Sequence, residues 1–295
     1  MRVLIVGCGY VGLPLGVELV KQGHEVFGLR RSAAAAEELK AAGITPLHAD
    51  ITKLETLNDL PNSFDWVVNC AATGGGGPDE YRRLYLHGTQ NLVEWLAAAP
   101  PKKFVYTSST SVYGQNDGSL VKESSVTEPE PETGKVLVET ERFLIAAAHQ
   151  KTIPAVILRV AGIYGPERGY LLTQYLKNEA RLEGKGERAL NMIHRDDLIG
   201  IIIAALKSGR PGEVYNAVDD EPVSQWRFFE WLAGTLDKAL PPPAEDIATN
   251  RKRGATNKKV SNRKLKMELG YEFKYPNFRK GYTAEIQRLD EAGQT

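Results

Sequence analysis

The chain has 295 residues, and its 37 Lys and Arg balance its 37 Asp and Glu to a formal net charge of zero. That balance excludes a protein that coats nucleic acid by bulk charge, and 42% hydrophobic with 25% charged residues excludes the disordered and fibrous classes. With only Cys8 and Cys70 there is neither a disulfide framework nor a Cys-x-x-Cys metal cluster, so no metal and a reducing, cytoplasmic setting are expected.

The N-terminus enters a strand at once, Arg2–Val6, without the length or cleavage site of a signal peptide. Gly7-Cys8-Gly9-Tyr10-Val11-Gly12 follows it and opens a helix near Val11. In that context G-x-G-x-x-G marks a dinucleotide loop: Gly7 for the tight turn, Gly9 for close approach of a pyrophosphate, Gly12 for packing of helix on strand. Tyr10 and Val11 join that loop as cofactor contacts, and Cys8 reads as a small space-filler. The second strand, Glu25–Leu29, ends at Arg30-Arg31-Ser32, where an acidic residue would accept the ribose hydroxyls of NAD. Two guanidinium groups and a hydroxyl there suit a 2′-phosphate, so NADP is expected in preference to NAD.

A helix from Ala33 leads to a third strand, Thr45–His48, after which Asp50 and Ile51 stand where the adenine ring is flanked. The fourth strand, Trp66–Asn69, runs into Cys70-Ala71-Ala72-Thr73, small residues that let a dinucleotide cross the sheet edge. Four glycines then precede Pro78, a flexible candidate gate or a plain connector, and a helix starts at Pro78. The fifth strand, Phe104–Thr107, places Thr107 beside the cofactor; helices from Gly134 and Asp196 bracket the sixth strand, Ala155–Val160, and Glu213–Ala217 is the seventh. This alternation predicts an α/β fold, a doubly wound parallel sheet of Rossmann type with a smaller C-terminal α/β substrate-binding part. Residues 1–168, with 191–222 returning, form the NADP-binding domain, and 169–190 with 223–295 form the smaller part. In the latter, Ser224–Ala239 reads as a helix, Pro241 to Pro243 as a break, and Ser261–Leu269 as a helix capped by Ser261 and closed by Gly270. The longest apolar stretch, within Leu198–Leu206, is about half of a membrane crossing, so no membrane partner is expected.

Several segments together resemble the short-chain dehydrogenase/reductase superfamily, in its extended, NAD(P)-dependent epimerase/dehydratase-like branch. They are Tyr106-Thr-Ser-Ser109-Thr-Ser-Val-Tyr113-Gly114, Gly88-Thr-Gln-Asn-Leu92, Arg159-Val-Ala-Gly-Ile-Tyr-Gly-Pro166, Asn191-Met-Ile-His-Arg-Asp-Asp197 and Val214-Tyr-Asn216. They cover nearly the whole chain and are specific for the superfamily but not for a substrate. The resemblance implies that Ser109, four residues before Tyr113, hydrogen-bonds the reacting oxygen. It also implies a tyrosine and a lysine four residues later on the next long helix, and here Thr133 and Leu137 occupy those positions. Neither a threonine hydroxyl nor leucine can run that acid/base relay. Lys135 lies about 200° around the helix from Leu137 and is a poor substitute. With the G-x-G-x-x-G spacing, this resembles the superfamily's atypical members.

Three side chains are candidates for the vacated proton donor: Tyr113, Tyr164 and His194, the last with a suitable pKa range but also fit to bond backbone at a strand-to-helix junction. Asp197 reads as an anchor for its helix. Thr73, Tyr164, Arg168 and Asn191 are candidate substrate contacts. The leading expectation is an NADP-dependent oxidoreductase or epimerase acting on a carbonyl or alcohol of a small polar molecule, a sugar or nucleotide sugar. The alternative is a catalytically degenerate NADP-binding regulator or partner-binding protein. A nucleotide-sugar dehydrogenase is disfavoured because Cys70 lies in no matching segment. The resemblance implies a homodimer through helices after the fourth and fifth strands. Neutrality hides segregation: residues 117–141 hold seven acids against two lysines, and 251–266 hold eight basic residues and no acid. That basic stretch lacks interleaved aromatics, so no nucleic-acid partner is expected and the segment is a candidate to face the substrate.

Overall fold

The computed structural model describes residues 1–244 and 256–293. Seven strands form one parallel sheet: β1 (Arg2–Val6), β2 (Glu25–Arg30), β3 (Thr45–His48), β4 (Trp66–Asn69), β5 (Lys103–Ser109), β6 (Ala155–Val160) and β7 (Val214–Ala217). Their order across the sheet is β7-β6-β5-β4-β1-β2-β3. The chain therefore reverses direction of travel between β1 and β4, the crevice where an open α/β sheet binds its ligand. All seven expected strands are present: the inner ones are apolar runs buried on both faces, whereas the edge strand β3 is only partly buried. In β1, Val3 and Ile5 enter one apolar layer while Leu4 and Val6 enter the other.

Helices α1 (Gly12–Lys21), α2 (Ala36–Ala41), α3 (Pro78–Tyr81), α4 (Gly88–Leu96), α5 (Glu132–His149), α6 (Tyr170–Leu176), α7 (Arg195–Ser208), α8 (Gln225–Leu236), α9 (Arg263–Leu269) and α10 (Phe278–Glu291) cover the sheet and extend beyond it. Leu15 and Leu19 of α1 pack with Ile201 and Ile202 of α7 against one face. Leu92 and Leu96 of α4 pack with Leu144 of α5 against the other. Between α3 and α4 the backbone runs as a π-helix over Arg82–His87.

A third apolar cluster, including Tyr164, Leu172, Phe228, Phe278 and Tyr282, gathers α6, α8 and α10. Three two-stranded pairs lie outside the seven-stranded sheet: Met192–His194 beside Gly162–Tyr164, Val223–Ser224 beside Ala189–Leu190, and Lys259–Val260 beside Leu120–Val121. Helix α8 begins at Ser224, whose Oγ accepts from the Arg227 N–H, and ends at Leu236 rather than Ala239 because Asp237 takes a left-handed conformation. The cap position of α9 belongs to Asn262, not Ser261; its side chain instead donates to Val218 O and Asp220. Gly270 closes α9 at φ 63°, as expected of that residue type. Helix α10 was not foreseen; Phe278, Tyr282 and Ile286, spaced by four, carry it into the third cluster. No described helix is long and apolar enough to cross a membrane.

Candidate active site

A cavity of about 650 Å³ opens along the carboxyl ends of β2, β1, β4, β5 and β6. Gly7, Gly9, Tyr10, Val11, Arg30, Arg31, Ser32, Ile51, Ala71, Ala72, Thr107, Ser109 and Arg168 from the expected set all line it. The turn after β1 forces its glycines. Gly7 sits at φ +84°, and a Cβ there would lie 2.5 Å from the Cα and N of Ala71. A Cβ on Gly12 would meet the Gly7 carbonyl at 2.6 Å, whereas one on Gly9 would meet nothing within 4 Å. Gly9 therefore presents bare backbone to open space beside the start of α1. Cys8 is buried and its thiol is pushed up to about 12 by desolvation, in keeping with a filler.

At the far end of β2, Arg30 pairs with Glu38 at 3.0 Å, and His48 Nε2 bonds the Arg31 carbonyl at 2.9 Å. The Arg31 side chain is in no ion pair among the described residues. Asp50 does not line the cavity: its Oδ1 accepts from the Thr52 N–H and hydroxyl, closing a turn that leaves Ile51 as the wall. At the other end, Ser109 Oγ accepts from the Ser111 N–H at 3.1 Å, and Thr107 Oγ1 donates to Asn69 O at 3.3 Å. Leu137 of α5 lines the same space with an apolar side chain.

The three proton-donor candidates from the sequence lie off the lining. Tyr113 is fully buried; its hydroxyl donates to Asn216 Oδ1 at 2.8 Å and accepts from Arg159 at 2.9 Å. His194 Nδ1 accepts from the Asp196 N–H and caps α7, which leaves Nε2 to meet Glu285 at 3.2 Å. Tyr164 stacks on Tyr282 with ring centroids 4.2 Å apart. Asn191 ties the C-terminal segment down through Lys258 O and Val260 N, and Thr73 gives its N–H to the Tyr85 hydroxyl. Asp197 accepts from Tyr271 and from the Lys274 and Tyr275 amides, an anchor as expected. Of the basic stretch, residues 251–255 lie outside the described residues. Lys264 pairs with Glu213 and Lys266 with Asp220, so these charges are spent within the fold.

Three features of the site were not read from the sequence. Tyr81 and Tyr85, four apart around the start of the π-helix, line the cavity with ring centroids 4.9 Å apart. Ser108 also lines it and donates to Glu141 Oε1 at 2.5 Å. The Arg168 guanidinium lies 5.0 Å from the Tyr10 ring centroid, with Arg195 at 5.3 Å.

Asp219, 1% exposed, offers Oδ1 to the Glu221 N–H while Oδ2 has no partner among the described residues. Burial holds its carboxyl well above the usual carboxylate range. The native state thus keeps a proton that the unfolded chain releases near pH ~3.9, and stability falls as pH rises from there through the folded pKa. Asp219→Asn is expected to raise Tm at pH 7 and flatten this slope, read by thermal unfolding between pH 5 and 8. An equal loss of Tm at both ends would refute the assignment.

The family model for the NAD-dependent epimerase/dehydratase family matches residues 3–217. Protein YeeZ of Escherichia coli (strain K12) is 30% identical over 284 residues, covering 94% of this chain and 97% of that protein. A conserved protein of unknown function from Silicibacter pomeroyi has a structure with a TM-score of 0.80 at 28% identity, covering 97% of this chain and 98% of its own. The dTDP-glucose 4,6-dehydratase DesIV of Streptomyces venezuelae, solved with NAD and TYD bound, shares the fold at a TM-score of 0.85 and 22% identity, over 99% of this chain and 97% of its own. A parallel sheet in this strand order, the glycine turn at its switch point and the family match over three-quarters of the chain agree: the protein belongs to the NAD-dependent epimerase/dehydratase family.

Proposed function

We propose that the protein is an oxidoreductase or epimerase that uses a nicotinamide dinucleotide, NADP in preference to NAD, on a carbonyl or alcohol of a small polar molecule such as a sugar or nucleotide sugar. The carrying observation is the lining of one cavity by Gly9, by Arg30, Arg31 and Ser32, and by Ser109. The residues fit the dinucleotide. Gly9 leaves room for a pyrophosphate against backbone, and the end of β2 supplies cationic and hydroxyl groups where a ribose-binding carboxylate is absent.

When bound, the dinucleotide supplies or accepts hydride. Ser109 presents a hydroxyl to the reacting oxygen, held in place by the Ser111 amide. Arg31 is the group that meets a 2′-phosphate, since Arg30 is already tethered to Glu38. The apolar Leu137 side chain excludes the ordinary tyrosine–lysine relay and favours, as a second reading, a dinucleotide-binding protein without turnover.

Calorimetric titration with NADPH and NADH tests the preference. NADPH is expected to bind at least about tenfold more tightly, and Arg31→Glu to cancel that ratio while leaving NADH affinity within about threefold. Equal affinities in the native protein would refute the preference. Dinucleotide-dependent turnover of phenanthrenequinone or UDP-glucose favours the enzyme; binding without any turnover favours the second reading.

A further inference from the structure

We infer that Tyr85 is the proton donor of this site, standing in from a neighbouring helix for the tyrosine that α5 lacks. The inference rests on the oxidoreductase reading above and deepens it. Thr133 and Leu137 leave the two relay positions of α5 without a proton donor, yet the cavity that Leu137 and Ser109 line also receives two phenols, Tyr81 and Tyr85. They come from the segment packed against α5, to which Arg82 is tied by its ion pair with Glu139 at 2.8 Å. The acid has thus moved from one helix to its neighbour across the same cavity.

The local backbone explains how a tyrosine reaches it. Between Tyr81 and Gly88 the chain winds as a π-helix, a wider turn that recurs at functional sites because it re-aims the side chains it carries. Tyr81 and Tyr85, near one turn apart there, lie side by side along the wall with their rings tilted by 49°. Of the two, Tyr85 has the fixed hydroxyl: it accepts from the Thr73 N–H at 3.3 Å. An amide donor aimed at a phenol oxygen stabilises the charge that develops when that oxygen gives up its proton. The same bond ties Tyr85 to Thr73, the residue that precedes the glycine run 74–77.

In the reducing direction the carbonyl carbon takes hydride from the reduced dinucleotide, and the carbon–oxygen π pair moves onto oxygen. The Tyr85 O–H bond breaks, a new O–H bond forms on the substrate, and the Tyr85 phenolate recovers a proton from water. Ser109 holds the same oxygen through its hydroxyl. In the oxidising direction each transfer reverses.

The test compares native protein, Tyr85→Phe, Tyr85→His and Tyr81→Phe in NADPH-dependent reduction of phenanthrenequinone. NADPH affinity by calorimetry and thermal unfolding serve as checks on folding and cofactor binding. Tyr85→Phe is expected to lower kcat at least about 100-fold with NADPH affinity unchanged, and Tyr85→His, which restores an acid, to recover part of it. Tyrosine labelled with carbon-13 at Cζ gives a readout independent of turnover: the resonance lost in Tyr85→Phe should titrate together with the alkaline limb of kcat. Retention of kcat within about threefold in Tyr85→Phe, or equal losses in Tyr85→Phe and Tyr85→His, would overturn the role of Tyr85 alone. A native protein that binds NADPH and reduces nothing overturns the oxidoreductase reading, and this assignment with it.

Discussion

Replacing Glu141 by alanine is expected to cost about 3–5 kcal/mol of folding stability, because it strands a guanidinium inside the protein. Glu141 is 2% exposed and Arg159 5%. Arg159 Nη2 meets Glu141 Oε2 at 2.7 Å while Nε lies 3.2 and 3.1 Å from the two carboxylate oxygens. The remaining Arg159 nitrogen, Nη1, donates to the Tyr113 hydroxyl and to Glu123 O, and Tyr113 passes its own hydrogen to Asn216. Every lobe of the guanidinium is therefore placed by an acceptor, and Glu141 is the carboxylate that pairs directly with it. The double substitution Glu141→Leu with Arg159→Met, which removes both charges, should recover a large part of the loss. Urea unfolding of the native protein, the single variant and the double variant measures both numbers. A single-variant loss under about 1 kcal/mol would show that water or a neighbouring group already serves the arginine.

The same network holds Tyr113 in the interior, off the cavity lining. Spacing places Tyr113 within the strand-end segment that carries Ser109, but only the fold shows its ring turned toward Arg159 and Asn216 and away from the cavity. His194 is similar: a pKa range suited to proton transfer is legible from residue type, whereas its service as the cap of α7 depends on the turn at Asp196. Strands β1 and β6 were legible because burial on both faces writes itself as Val, Ile and Leu runs, and the glycine loop because turn geometry restricts residue type directly.

What the sequence concealed is side-chain direction and cross-helix placement. Tyr81 and Tyr85 stand on a helix correctly expected from Pro78, and their spacing of four is visible, yet their role as cavity wall arises from the π-turn and from packing against α5. Helix α10 carries a readable signal: Asn277 as a cap, its Oδ1 accepting from the Lys280 N–H, followed by Phe278, Tyr282 and Ile286 at helical spacing. The charge segregation seen in the sequence also changes meaning. Of the acids between 117 and 141, Glu139 pairs with Arg82 of the neighbouring helix and Glu141 with Arg159 of the sheet, while Glu132 pairs with Lys135 within α5.

Two glycines two residues apart should fail in different ways when a methyl group is added, and the contrast tests the cofactor site without knowledge of the substrate. At Gly7 a Cβ would sit 2.5 Å from the Ala71 Cα and N and 2.8 Å from the Cys70 carbonyl carbon, at a backbone φ of +84°. Backbone cannot yield as a side-chain tip can, so Gly7→Ala must push the β1 turn away from the β4 turn, and left-handed geometry alone costs about 1–2 kcal/mol. Both Tm and dinucleotide affinity should fall. At Gly9 the added Cβ meets nothing within 4 Å of the protein, so Gly9→Ala should leave Tm unchanged. The methyl group would nonetheless occupy the open space at the proposed pyrophosphate site, and NADPH affinity should fall about 100-fold, equivalent to about 2.7 kcal/mol. Thermal unfolding and calorimetric titration of the two variants separate these outcomes. Native-like NADPH binding by Gly9→Ala would mean that no phosphate approaches this turn, and the dinucleotide reading would fail at its most constrained point.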